Sequence, residues 1–141
     1  MRTISTPDLA GRLRLTIVRT ARRLRQEAGG ELSPSLTAAL STVEQHGPLT
    51  PSDLAARERI QRPTATRVLA RLETEGLISR TTDVWDRRSS LVEVTAAGRD
   101  LLAALRTRKT AFLASRIEDL SAEDRATLER AADILEGMID R

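Results

Sequence analysis

Apolar residues recur at helical spacing near the beginning of the chain. Between about residues 8 and 28 they return every three or four positions, as on one face of a helix, at Leu9, Leu13, Ile17 and Leu24. Two glycines at 29 and 30 then interrupt the pattern, as glycine does after the last turn of a helix. The pattern predicts a first helix over residues 8–28.

Capping signals divide the next stretch into two shorter helices. Ser33 and Thr50 each stand directly before a proline, and these residue types are preferred at the cap and at the first helical position. Asp53 stands where a capping box has its acidic residue. We therefore expect one helix after Ser33 and another after Thr50.

A fourth helix and a two-stranded ribbon complete the middle of the chain. The helix is expected to begin between Gln61 and Pro63 and to end near Glu75, because a glycine follows it. Short apolar runs at residues 77–81 and 91–95 predict two strands joined by a polar loop.

Two further helices are predicted after Thr95 and Ser121, since both residue types favour the cap position. The element order is therefore α–α–α–α–β–β–α–α, a mainly α fold with one small ribbon. Residues 33–95 form a compact domain, whereas the helices in residues 1–32 and 96–141 carry apolar stripes that need a cover. With no third layer in the chain, a second copy is the expected cover.

The positive charge comes almost entirely from arginine. The formal net charge is +3, the pI is about 10.7, and Lys109 is the only lysine. The guanidinium fork suits phosphates and guanine edges. A GC-rich genome would also enrich arginine, so the position of each arginine is more informative than the total. The absence of cysteine excludes disulfides, thiol switches and cysteine metal sites.

Several classes of protein find no support in the sequence. The start of the chain lacks the apolar stretch of a signal peptide, and no apolar run approaches the roughly 18 residues of a membrane span. We expect a soluble, cytoplasmic protein that does not enter a membrane. There is no glycine-rich phosphate loop, no Ser/His/Asp or Cys/His arrangement and no cluster of metal ligands. We expect no catalytic residue, no metal site and no cofactor.

The fourth helix has two distinct faces on a wheel of about 3.6 residues per turn. The apolar face consists of Ala65, Val68, Leu69 and Leu72 and is expected to pack on Leu54 and Ile60. The opposite face and the amino end are polar, with threonine hydroxyls and arginine guanidinium groups that suit phosphates and guanines. The candidate DNA-binding residues there are Gln61, Arg62, Pro63, Thr64, Thr66, Arg67 and Arg71. A solvated amphipathic helix would show the same pattern, so this helix leaves both interpretations open.

The loop between the predicted strands is longer than a tight turn requires. It contains Asp86, Arg87 and Arg88, and an ion pair with Asp86 could orient the Arg88 guanidinium toward a minor groove. A solvated loop with a surface ion pair worth less than about 1 kcal/mol is the alternative. Trp85 is expected to pack under the loop, because exposed tryptophans are uncommon. A contact with a sugar edge and simple exposure are its alternatives.

Three motifs stand in a fixed order along the chain: Leu72-Glu73-x-x-Gly76-Leu77-Ile78-x-Arg80, then Asp86-Arg87-Arg88, then Val92-x-Val94-Thr95-x-x-Gly98. This series resembles the MarR family of bacterial winged-helix regulators, and the resemblance covers essentially the whole chain. It implies a winged helix-turn-helix DNA-binding domain at residues 33–95. It also implies a homodimer whose dimerisation domain is made by the helices of residues 1–32 and 96–141.

The resemblance implies roles for individual residues. The fourth helix would lie in the major groove of double-stranded DNA, with a recognition face of Thr64, Thr66, Arg67 and Arg71. At the wing, Arg88 would probe the minor groove, Asp86 would brace it, and Arg87 would contact phosphate.

The resemblance also allows for a small aromatic or phenolic effector. Members of the family that bind phenolic ligands use a crevice between the dimer helices and the DNA-binding lobe. The candidates for that crevice are Leu13, Arg14, Ile17, His46 and Arg106. His46 is otherwise an ordinary helix-end histidine, where a positive charge suits the carboxyl terminus, and a lone histidine is not a metal site.

The function expected from these observations is transcriptional regulation. The protein would be a repressor that binds a pseudo-palindromic operator as a homodimer and is released by a small ligand. The alternative is a winged-helix module that binds another protein and no DNA. The arginines of the fourth helix argue against that alternative, and a steep fall of binding with salt would distinguish the two.

Overall fold

The chain folds into helices and one two-stranded ribbon, in the order that the sequence pattern predicts. The computed structural model describes residues 3–30, 32–82, 84–85 and 90–141. The elements within these residues are α1 (Thr6–Ala28), α2 (Pro34–His46), α3 (Pro51–Glu58), α4 (Arg62–Thr74), β1 (Ile78–Thr82), β2 (Ser90–Val94), α5 (Ala96–Glu118) and α6 (Ala122–Ile139). The predicted mainly helical class is confirmed.

Capping side chains determine where several helices begin. The Ser33 hydroxyl accepts a hydrogen bond of 3.3 Å from the amide three residues later. Thr50 and Asp53 form both halves of a capping box, with bonds of 3.1 and 3.2 Å between each amide and the other residue's side chain. Ser121 caps α6 in the same way as Ser33 caps α2. Each cap satisfies an amide that the first turn leaves unpaired, and the three predicted helix starts are confirmed.

The chain divides into two compact units. One comprises Met1–Glu27 together with Arg108–Arg141, and the other comprises Ala28–Thr107. The first unit thus contains most of α1, the second half of α5 and the whole of α6. The second unit contains α2, α3, α4, the ribbon and the first half of α5.

The second unit is built around an apolar core. Leu40 of α2, Leu54 of α3, Leu69 and Leu72 of α4, and Val92 of β2 are completely buried in it. Fully burying a side chain of this size contributes roughly 1.5–3 kcal/mol. These contacts therefore hold α4 against α2 and α3 and leave its other face outward.

The ribbon is antiparallel, with Ile78 opposite Val94. A short bridge extends it, because Leu49 donates its amide to the carbonyl of Val92 at 3.1 Å and accepts from the Val92 amide at 2.8 Å. The segment just before α3 is therefore fastened to β2, and the helices and the ribbon share one framework.

Each strand is shifted by one residue from its predicted position. The reason is that Leu77 and Thr95 make hydrogen bonds with the adjoining helices. Leu77 donates its amide to the Leu72 carbonyl at 2.9 Å and so still closes α4. The Thr95 hydroxyl donates to the Gly76 carbonyl at 2.7 Å and accepts from the Gly98 amide at 3.1 Å. One threonine side chain thus joins the end of α4 to the start of α5, which confirms Thr95 as the cap of α5.

Gly98 lies where α5 meets the ribbon. A Cβ atom at this position would be 2.3 Å from the carbonyl oxygen of Leu77 and 2.8 Å from Cγ2 of Val94. Neither distance accommodates a methyl group, so the close approach of α5 to the ribbon requires glycine.

The helices of the first unit leave large apolar side chains exposed. No residue of α6 is buried. The exposed large apolar side chains on these helices are Leu9, Leu15, Ile17, Val18, Leu113, Leu128, Ile134, Met138 and Ile139. These side chains expose apolar area to solvent on α1, α5 and α6. Within the described residues, none of the helices has the length and apolar character needed to cross a membrane.

Candidate nucleic-acid interface

The inner face of α4 anchors the helix to the core. Ala65, Leu69 and Leu72 are buried, and Val68 packs against them together with Ile60. The predicted apolar face of this helix is therefore confirmed.

The outer face and the amino end of α4 are exposed and basic. The exposed residues predicted for this site are Gln61, Arg62, Pro63, Thr66, Arg67 and Arg71. Gln61 is the N-cap residue and makes no side-chain capping bond, and the first turn contains no acidic residue. Pro63 has no amide hydrogen, so the amides of Arg62 and Thr64, together with the positive end of the helix dipole, are available to an anion such as a phosphate.

The arginines of α4 differ in their present contacts. Nη2 of Arg71 lies 3.2 Å from Oε1 of Glu75, one turn further on. Within the described part of the chain, Arg62 and Arg67 form no ion pair. Arg67 can therefore turn to a base edge without giving up an existing ion pair, whereas Arg71 must leave Glu75.

Thr64 differs from the prediction that placed it on the outer face. It is half-buried beside Val68 and lines a small groove with Ile60. Each residue advances about 100° around a helix, so Thr64 lies only about 40° from Val68 and at the edge of the apolar face. Thr66 is exposed, and its hydroxyl donates to the Arg62 carbonyl at 3.1 Å. The oxygen of that hydroxyl can still accept a hydrogen bond.

Arg80 connects α4 to both strands of the ribbon. Its Nε lies 3.2 Å from Oε2 of Glu73 on α4, and its Nη1 donates to Oγ of Ser90 on β2 at 3.0 Å. In the sequence, Glu73 and Arg80 stand out only as members of a motif. These two residues are seven positions apart in sequence and lie on different elements, and the periodicity of neither element indicates their contact.

The wing residues predicted to contact DNA, Asp86, Arg87 and Arg88, lie outside the described residues. The two described residues of that loop, Val84 and Trp85, are 84% and 94% exposed. The prediction that Trp85 packs under the loop is wrong. The general preference of tryptophan for burial does not hold at this position, because most of the side chain faces solvent.

The residues predicted to line an effector crevice are distributed over both units. Leu13, Arg14 and Ile17 lie on α1 in the first unit, and Arg14 and Ile17 are exposed. His46 is the exposed last residue of α2, as predicted for a helix-end histidine.

Arg106, the fifth of these candidates, is engaged within the second unit. Its Nη2 lies 2.9 Å from Oε1 of Glu44 and 3.3 Å from the Ser41 hydroxyl. These contacts join α5 to α2, so Arg106 has a structural role in addition to the ligand role considered for it.

The first unit contains a basic cavity of about 480 Å³ that the sequence pattern does not predict. Phe112 and Arg23 line it, and the guanidinium carbons of Arg23 and Arg116 lie 5.5 and 5.1 Å from the centre of the Phe112 ring. Both distances suit cation–π contacts. The pairing of α1 with α5 that produces them could not be inferred from periodicity.

Comparisons with known proteins agree with this architecture. The model of the MarR family matches residues 32–90. An uncharacterized HTH-type transcriptional regulator of Mycobacterium leprae is 37% identical over 137 residues, which cover 96% of each chain. A Pseudomonas aeruginosa protein described as a transcriptional regulator has a crystal structure that matches 99% of each chain at 30% identity, with a TM-score of 0.86.

A DNA complex is among the solved structures with this fold. Streptococcus pneumoniae FabT in complex with DNA has a TM-score of 0.68 at 20% identity, covering 94% of this chain and 96% of that one. The chain belongs to the MarR family and is a transcriptional regulator with the family's winged helix-turn-helix fold. The resemblance inferred from the motifs is confirmed.

Proposed function

We propose that this protein is a repressor that binds a pseudo-palindromic operator in double-stranded DNA as a homodimer. The observation that carries the proposal is the outer face of α4. That face combines exposed arginines, an uncapped amino end without acidic residues, and an inner face anchored by buried leucines. The DNA complex of FabT, a protein of the same fold, supports a DNA partner. A DNA partner supports the further proposal that the protein lies in the cytoplasm with the genome.

The residues of α4 divide into positioning and reading groups. Gln61, Arg62 and the amide of Thr64 are suited to phosphates, which set the position of a helix but carry no sequence information. Arg67 and Arg71 are suited to guanine, since a guanidinium donates two hydrogen bonds to its O6 and N7 atoms. Thr66 is small enough to approach either a phosphate or a base edge.

The wing part of the proposal rests on the sequence and the family resemblance. Arg88 enters the minor groove beside the half-site, Asp86 orients it, and Arg87 contacts phosphate. Arg80 supports this arrangement, because its contacts with Glu73 and Ser90 tie the base of the ribbon to α4.

The homodimer is proposed from the apolar surface of the first unit. Its exposed leucine, isoleucine and methionine side chains would be costly to leave in water. In a two-fold dimer, each protomer would cover these side chains of the other. A helix from each protomer then reads one half-site, and the half-sites lie about one helical turn apart.

Leu128→Gln is expected to weaken the dimer at least about tenfold, because a half-exposed leucine of α6 loses its apolar contact in both protomers. Sedimentation equilibrium across a concentration series measures the change. Glu129→Gln, on the adjacent position of the same helix, is the matched control and should leave the dimer constant unchanged. Equal dimer dissociation constants for the two variants would show that Leu128 of α6 does not lie in the dimer interface.

Regulation by a small aromatic or phenolic effector is the remaining part of the proposal. Such a ligand would favour one spacing between the two DNA-binding lobes and thereby lower operator affinity. Screening aromatic carboxylates and phenols for release of a labelled operator tests this part separately from DNA binding.

Selection from random duplex DNA at physiological salt tests the proposed function itself. We expect an enriched pseudo-palindrome that the protein protects as two half-sites in a footprint. The alternative of a module that binds another protein predicts no enriched motif and weak binding with little dependence on salt.

A further inference from the structure

We propose that Val84 and Trp85 form an apolar wing tip that packs against the deoxyribose walls of the minor groove when the protein binds its operator. This inference rests on the proposed DNA-binding function and adds a contact that contains no charge. The wing tip is defined here as these two side chains.

The wing tip is exceptional within the second unit. Val84 is 84% exposed and Trp85 is 94% exposed. Among the described residues of that unit, they are the large hydrophobic side chains that are exposed, whereas the others are buried or half-buried. Folding of this unit removes its other large apolar groups from water, so the exposure of these two points to an external surface that they cover.

The ribbon carries the wing tip on the framework that also holds α4. Leu77 bonds back to Leu72 at the end of α4, and Arg80 bridges Glu73 and Ser90. β1 runs for five residues, about 17 Å, away from that attachment. The wing tip therefore follows a strand that these contacts attach to the proposed reading helix.

The small area of the wing tip favours a groove over a protein surface. The exposed residues of β1 beside it are Ser79, Arg80, Thr81 and Thr82, all of them polar. An aromatic side chain of this size offers roughly 150–250 Å². A stable protein interface needs about 800 Å² on each side, so the wing tip by itself is too small to hold a protein partner.

Duplex DNA matches the chemistry around the wing tip. The walls of the minor groove are deoxyribose rings with apolar C–H surfaces, and phosphates line its rim. Apolar side chains inserted from a protein into this groove are an established mode of contact. In the sequence, Arg87 and Arg88 follow the wing tip within three residues and carry the charge that the phosphates require. The minor groove therefore offers apolar walls to the wing tip and phosphates to the two arginines.

The protein itself provides the probe, because Trp85 is its one tryptophan and it has no tyrosine. Acrylamide quenching of tryptophan fluorescence is measured with and without the selected operator, while a dye on the DNA reports binding by anisotropy. We expect the quenching constant to fall at least about threefold on saturation with operator and the emission to move to shorter wavelength, as an exposed indole becomes buried.

Substitutions of Trp85 distinguish a loss of DNA contact from a loss of folding stability. Trp85→Ala should lower operator affinity about tenfold, since apolar contact is lost, and leave the salt dependence of binding unchanged, since no charge is removed. Trp85→Phe should recover most of the affinity. Both variants should melt at the wild-type temperature, because a side chain that is 94% exposed contributes little to folding.

The outcomes distinguish this inference from the proposed function. If anisotropy reports tight operator binding while Trp85 remains equally quenchable, the wing tip does not contact DNA. If Trp85 is already protected without DNA, and more so at higher protein concentration, a second copy covers it and the inference is wrong. If no duplex binds at all, the proposed function fails first.

Discussion

Replacing Gly98 with alanine is expected to lower the free energy of unfolding by about 3 kcal/mol, the upper part of the usual range for overpacking. The added methyl carbon would lie 2.3 Å from the backbone oxygen of Leu77, which belongs to the junction of α4 with the ribbon. Backbone atoms cannot rotate aside as a side chain can. The start of α5 must therefore shift, and the hydrogen bonds of Thr95 to Gly76 and Gly98 are strained with it.

Gly137→Ala provides a matched control for this substitution. Gly137 lies within α6, and a Cβ atom there would meet no atom within 4 Å. Alanine is favoured over glycine inside a helix by up to about 1 kcal/mol, so this variant should be neutral or slightly more stable. Urea unfolding followed by circular dichroism measures both variants. Equal stability of the two would show that α5 does not approach the ribbon as closely as described.

Replacing Arg67 with alanine is expected to lower affinity for the selected operator at least about tenfold. It should also reduce the ratio of the affinity for operator to the affinity for unrelated DNA. Arg67 projects from the outer face of α4 and forms no ion pair within the described residues, so its guanidinium is available for base contacts. Arg71→Ala should have a smaller effect, because Arg71 must first leave Glu75. Titration of labelled operator and of a scrambled duplex measures both quantities.

Arg99→Ala is the matched control, since it removes the same charge from the exposed surface of α5 in the same unit. Its operator affinity should stay within about twofold of the wild type, because salt screens a surface charge that lies outside the outer face of α4. Equal losses for Arg67→Ala and Arg99→Ala would mean that overall charge, and not the face of α4, determines binding.

Local signals predicted most of the fold. The Ser33, Thr50 and Ser121 caps act through side chains that reach only two or three residues along the chain, so sequence spacing is enough to find them. The apolar face of α4 follows from helical periodicity in the same way. The strand ends were displaced by one residue because Leu77 and Thr95 make contacts with neighbouring helices that outweigh their own strand propensity.

The predictions were wrong for residues whose burial or contacts depend on how separate elements pack together. The general behaviour of tryptophan predicts burial of Trp85, yet its side chain is exposed. Thr64 was assigned to the outer face, although it lies close enough to Val68 to be half-buried. The contacts of Arg80 with Glu73 and Ser90, and of Arg106 with Glu44, join separate elements and leave no periodic trace in the sequence. The predicted effector crevice combined residues that depend on such long-range placement, and it stays a prediction.

The salt dependence of binding to the selected operator tests the central claim most directly. If α4 of each protomer lies in a major groove, the logarithm of the binding constant falls steeply and linearly with the logarithm of salt concentration, by about 0.9 for each phosphate contacted. Arg62→Ala, which removes one proposed phosphate contact from each protomer, should reduce that slope by about 2 in the dimer. A slope near zero, or a slope that Arg62→Ala leaves unchanged, would contradict the assignment of α4 as the DNA-binding surface.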